Sequence, residues 1–97
     1  MATYCVLGNF TEQGVRNAKD SPKRVDTVKA MAKKCGVTIK DIYWAQGQYD
    51  VVAILEAEDD LAVTSLSLGL GAQGYVRTQT LRLFPPAEMK KIIDKMP

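Results

Sequence analysis

The chain has 97 residues, 46% apolar and 25% charged, with thirteen Lys and Arg against eleven Asp and Glu for a net +2. That length predicts one domain, residues 1–97, able to bury a core without metal or disulfide support, and so small a net charge does not by itself make a polyanion-binding surface. No apolar run nears the roughly 20 residues that cross a bilayer, the opening MATYCVLGNF lacks a leader pattern, and histidine is absent. A cytoplasmic protein with reduced, buried thiols at Cys5 and Cys35 is the expectation.

In chain order, Thr3–Asn9 is a short β-rich apolar run and reads as a strand. A polar stretch, Phe10–Asp20, follows as a connection containing Gly14. Ser21 before Pro22 predicts an N-cap with proline at the first helical position. Val25, Val28, Ala32 and Cys35 then form one apolar stripe at helical spacing. Gly36 ends that helix, and Lys33 and Lys34 suit its C-terminal partial charge. Val37–Gln46 reads as a second strand with Val37, Ile39, Asp41, Tyr43 and Ala45 on one face. Gly47 and Asp50 mark a turn, and Val51–Ala57 is a third, compact strand. Asp59 and Asp60 open a second helix with body Leu61–Leu70, closed by glycines. Tyr75–Phe84 alternates as a fourth strand, and Ala87–Lys95 is a short tail helix after Pro85-Pro86.

The order β-α-β-β-α-β plus a tail helix predicts an α+β, ferredoxin-like domain with a four-stranded antiparallel sheet. Tyr4–Leu7 and Val51–Ala57 are apolar on both parities, as central strands are, which agrees with strand order 4-1-3-2. Right-handed crossovers put both helices on one face. The other face needs a cover, which the tail helix supplies in part. A second copy is the simpler cover, burying roughly 800 Å² per partner, so a homodimer is expected.

Gly69-Leu70-Gly71-Ala72-Gln73-Gly74 matches a dinucleotide-binding glycine pattern, but it follows a helix and precedes a strand, the reverse of what phosphate binding needs. It reads as helix termination. The Lys/Arg group from Arg16 to Lys40 reads as a solvated helix face. Val51–Ala57 carries none of the stacking aromatics of an RNA-recognition sheet, so no nucleic-acid role is expected. With no histidine as base, the two cysteines read as packing residues rather than nucleophiles. They and scattered carboxylates make no metal site, and no cofactor is expected. Glu58, Asp59 and Asp60 suit a helix N-terminus. The segment Tyr43–Asp50 holds three aromatics, a glycine and a carboxylate at one hairpin, and suits a turn, a dimer contact or a pocket. Asn9 and Arg77 are polar residues in strands, and Asp50 is an available carboxylate for Arg77.

At that hairpin Gly47-Gln48-Tyr49-Asp50 resembles the signature of the GYD family, small bacterial and archaeal proteins. The likeness continues in Asn9-x-Thr11-x-x-Gly14, Lys19-Asp20-Ser21-Pro22-x-Arg24, Glu56-Ala57-x-Asp59-Asp60 and Gly74-x-Val76-Arg77-Thr78-x-Thr80-Leu81-Arg82-x-Phe84. It implies a domain akin to the dimeric α/β-barrel superfamily, which includes cofactor-free monooxygenases and haem-degrading enzymes. Histidine's absence argues against the haem branch.

The expected function is a non-catalytic small-molecule-binding, regulatory or interaction domain, dimeric through its sheet. Its ligand, small and anionic or aromatic, would sit in a sheet–helix cleft framed by Asn9, Trp44, Tyr49, Asp50 and Arg77. The alternative is a cofactor-independent enzyme, monooxygenase- or isomerase-like, with Asp50 or a tyrosine moving the proton.

Overall fold

Four strands pair antiparallel: β1 (Ala2–Phe10), β2 (Val37–Trp44), β3 (Val51–Ala57) and β4 (Val76–Leu83), in a computed structural model describing residues 1–97. The sheet order is β2-β3-β1-β4, which counted from the opposite edge is 4-1-3-2. Four helices join them: α1 (Glu12–Arg16), α2 (Ser21–Cys35), α3 (Asp60–Gln73) and α4 (Pro86–Asp94).

Strand parity divides the sheet into two unlike faces. Tyr4 and Val6 of β1, Ala53, Leu55 and Ala57 of β3, and Val37 of β2 are buried with Ala32 of α2 and Val63 and Leu66 of α3. These residues form the core, so α2 and α3 share one face. Cys5, Leu7 and Asn9 alternate onto the other, beside Val52 and Ile54 of β3 and Arg77, Gln79 and Leu81 of β4. No helix covers that open face. α4 buries no residue, and the radius of gyration is 14.6 Å, against about 13 Å for a compact domain of this length. The tail helix therefore extends from the body and does not shield the sheet.

Several sequence expectations need correction. The polar stretch after β1 contains α1 and a 3-10 turn at Ala18–Asp20 that runs straight into α2. Asp20, with helical dihedrals, takes the N-cap position of α2, and Ser21 already lies within the helix. The Ser21 hydroxyl does not cap; it accepts a hydrogen bond from Arg24 Nη2 (3.3 Å). α3 runs through Gly69 and Gly71 and stops at Gly74, whose φ is +86°. It continues because Leu70 still packs against the core, and a Cβ on Gly69 would sit 3.1 Å from Met31 Cε. In β2 the register shifts between Ile39 and Asp41. One extra residue reverses side-chain parity, so Ile42 and Trp44 join the helix side, while Asp41 and Tyr43 turn to the open face. Cys5 and Cys35 are free and half-buried rather than buried.

Candidate functional site

The five residues expected to frame one cleft are divided between two faces. Asn9 and Arg77 are direct cross-strand partners and both are exposed. Asn9 lies on the open face, whereas Arg77, on the edge strand β4, also lines a shallow pocket with Thr64, Ser67, Leu68, Gly71 and Ala72 of α3. The Tyr49 hydroxyl donates to Gln79 Oε1 at 3.2 Å. Because β1 lies between β3 and β4, this bond carries the tyrosine across β1 on the open side.

Asp50 is occupied by the backbone. Its Oδ2 accepts the Phe10 amide at 2.9 Å, its own amide donates to the Gly8 carbonyl (2.9 Å), and its carbonyl accepts the Ala45 amide (2.8 Å). The residue thus ties the β2–β3 hairpin to the end of β1. It forms no ion pair with Arg77; the ion pairs are Arg16–Glu12, Lys40–Glu56 and Arg82–Glu88. Gly47, at φ +112°, supplies the left-handed turn that returns the chain toward Tyr49 and Asp50. The Gly-x-Tyr-Asp run is in this way a hairpin clamp: a turn, a strut across the open sheet and a strand-end acceptor.

Of the five, Trp44 alone lines the cavity between the sheet and α2 and α3. This cavity holds about 100 Å³ and is walled mostly by Val, Ile, Leu and Phe side chains, with Arg24, Ser21, Ser67 and Thr78 as its polar lining. Arg24 is half-buried. Its Nη1 donates to the Asn17 carbonyl (3.1 Å) and its Nη2 to Ser21 Oγ, while the guanidinium carbon lies 4.3 Å from the centre of the Tyr75 ring. By sequence Arg24 belongs to the solvated basic face from Arg16 to Lys40. Position alone gives no sign that a tyrosine from beyond α3 would reach it.

Thr11 and Gly14 build the wall around Tyr75. The Thr11 hydroxyl accepts the Gly14 amide at 3.0 Å and donates to the Gly74 carbonyl, and the Thr11 amide donates to the Tyr75 carbonyl at 3.1 Å. A Cβ on Gly14 would fall 1.9 Å from that carbonyl oxygen, so α1 approaches β4 at a distance only glycine allows.

At the far end of β1, the buried Tyr4 hydroxyl donates to Asp60 Oδ1 at 2.6 Å. That hydrogen bond to a carboxylate, helped by burial and by the negative charge of Asp60, pushes the phenol's pKa above its ordinary value. Arg82 stacks between Tyr4 and Phe84, with its guanidinium carbon 5.5 and 4.6 Å from the ring centres, and pairs with Glu88 of α4. This cluster anchors the root of the tail helix. No three Cys, Asp or Glu side chains gather where they could hold a metal ion. No helix is long and apolar enough to cross a membrane.

α4 itself carries Met89, Ile92 and Ile93 at the spacing of a single helical stripe, and these three, with Met96 just beyond its end, are exposed. The chain therefore presents two apolar surfaces without a cover, the open sheet face and the α4 stripe.

The family model for the GYD domain matches residues 4–93. A curated relative from Thermus thermophilus, a "glutamine synthetase and cystathionine beta-lyase binding protein", is 33% identical over 90 residues, spanning 92% of this chain and 95% of its own. Among solved structures, TTHA0845 from the same organism superposes with a TM-score of 0.55 at 23% identity, over 88% of this chain and 95% of that one. FFRP-DM1 superposes with a TM-score of 0.61 at 15% identity, over 87% of this chain and all of that one. These two likenesses speak to the fold alone. The chain belongs to the GYD domain family.

Proposed function

We propose that this GYD-family chain is a ferredoxin-like, non-catalytic interaction domain that pairs with a second copy through its open sheet face and binds another protein through α4. The observation that carries this reading is the pair of uncovered apolar surfaces on one small chain. Leu7, Val52, Ile54 and Leu81 make a flat band on the sheet, and a two-fold axis through such a band buries the same patch on both partners. The α4 stripe projects at the end of the body, as an amphipathic helix does when it lies in a partner's groove. The Thermus relative is described as a binding protein for two enzymes, and that description favours glutamine synthetase as the first partner to try. Asn9 and Tyr49 then belong to the self-pairing face, with Arg77 at its edge beside α3. The enzyme alternative draws no support from Asp50 or Tyr49, since neither lines the inner cavity.

Two variants separate the surfaces. Ile54→Lys places a charge in the apolar band and is expected to halve the mass seen by light scattering. Ile92→Asp is expected to leave that mass at the dimer value and abolish co-purification with a co-expressed glutamine synthetase. A wild-type protein that is monomeric at 50–100 µM, an order-of-magnitude range well above typical dimer dissociation constants, refutes the pairing. Capture of glutamine synthetase undiminished by Ile92→Asp refutes the role of α4.

A further inference from the structure

We propose that the cavity between the sheet and α2 and α3 is a binding site for a small monocarboxylate with a compact, branched apolar body, its carboxylate held by Arg24. The inference does not depend on the protein-binding reading, because the cavity lies on the opposite side of the sheet from the self-pairing face and apart from the α4 stripe.

Volume sets the body of the ligand. An apolar cavity of about 150 Å³ accommodates benzene. The cavity here, near 100 Å³, has two thirds of that room, enough for about four carbons. Its walls are Val25, Val28, Ile39, Ile42, Leu70 and their neighbours, which offer a chain of that size dispersion contacts, and apart from Arg24 the polar lining is three neutral residues, Ser21, Ser67 and Thr78.

Charge sets the head. A guanidinium has five N–H donors, and Arg24 directs hydrogen bonds to one backbone carbonyl and one hydroxyl. Its remaining contact is the face of Tyr75. Every one of these partners is neutral. The nearby carboxylates on the same stretch of chain, Asp20 and Asp26, form no ion pair with it. A half-buried cation on the wall of an apolar cavity, fixed on both sides and lacking a counter-ion, matches the planar two-oxygen geometry of a carboxylate. An uncharged ligand of the same body would leave that cation uncompensated, and a bare anion would leave the apolar walls empty.

Trp44 is the only tryptophan and lines the cavity, so its fluorescence reports filling. The probes are 3-methylbutanoate, the neutral 3-methylbutan-1-ol and acetate, titrated at pH 7 and constant ionic strength. Saturable change is expected with 3-methylbutanoate at a Kd of about a millimolar or below, as suits so small a ligand. The alcohol and acetate are expected to bind at least about tenfold more weakly. Arg24→Gln should erase the advantage of the carboxylate over the alcohol while circular dichroism shows the fold intact, and Lys33→Gln, on the exposed side of α2, should change nothing. Val28→Phe should fill the cavity and abolish both responses. If that variant does not fold, the Arg24→Gln comparison decides alone. Equal affinity for acid and alcohol, no saturation by 3-methylbutanoate, or an acid preference that survives Arg24→Gln overturns the proposal.

Discussion

Asp50→Ala isolates what the family signature does in the fold. The carboxylate accepts the amide of Phe10 at the last residue of β1, a donor left without a partner in the β1–β4 and β1–β3 ladders once Asp50 is truncated. A hydrogen bond to a charged acceptor contributes about 1.5–3 kcal/mol. Asp50 is only partly buried, so water recovers some of that, and a loss of about 1–2 kcal/mol is expected. With a urea slope near 1–1.5 kcal/mol/M for a domain of this size, the midpoint should fall by about 1 M, and the melting temperature by roughly 4–16 °C. Asp50→Asn keeps an acceptor oxygen and should recover about half of the loss. The two backbone bonds of residue 50, to Gly8 and Ala45, survive either change, so circular dichroism should remain that of the wild type. A midpoint for Asp50→Ala within error of wild type would refute the strand-end role of this carboxylate. So would an Asn variant as damaged as the Ala variant.

Gly14→Ala should destabilise by about 1–3 kcal/mol or beyond, the opposite of the usual gain from alanine in a helix, because its Cβ collides with the Tyr75 carbonyl; urea unfolding reads this directly. Tyr4 predicts a loss of stability in alkali. The unfolded phenol ionises near pH 10, and the folded one, bonded to Asp60, at higher pH. Between those values the unfolded state has released a proton that the folded state still holds, so stability is complete below about pH 10 and declines as pH rises further. Tyr4→Phe should be about 1 kcal/mol less stable at neutral pH and show a shallower decline, measured as urea midpoints from pH 8 to 11. Tyr49→Phe removes only an exposed hydroxyl contact with Gln79 and should cost less than about 0.5 kcal/mol.

The elements themselves were legible because they rest on local rules. The helical stripe from Val25 to Cys35, the left-handed stop at Gly36 and the two-sided apolar runs of β1 and β3 follow from periodicity and from backbone freedom at glycine. Each is a property of neighbours in sequence, and the placement of β1 and β3 at the centre of the sheet followed from it. The site was not legible in the same way. Asn9 and Tyr49 went to the open face, Arg77 to the sheet edge beside α3, and Asp50 to the backbone of a strand forty residues earlier, through pairings between distant segments. Trp44 reached the cavity because one extra residue near Lys40 reversed the parity of β2, a shift that alternation alone does not reveal. Arg24 acquired its place on the cavity wall from Tyr75, fifty-one positions on, by the closure of α1 onto β4 through Gly14. Local stereochemistry wrote the strands and helices into the order of residues. Which side chains came to share a face was decided only when register and close packing brought remote parts of the chain together.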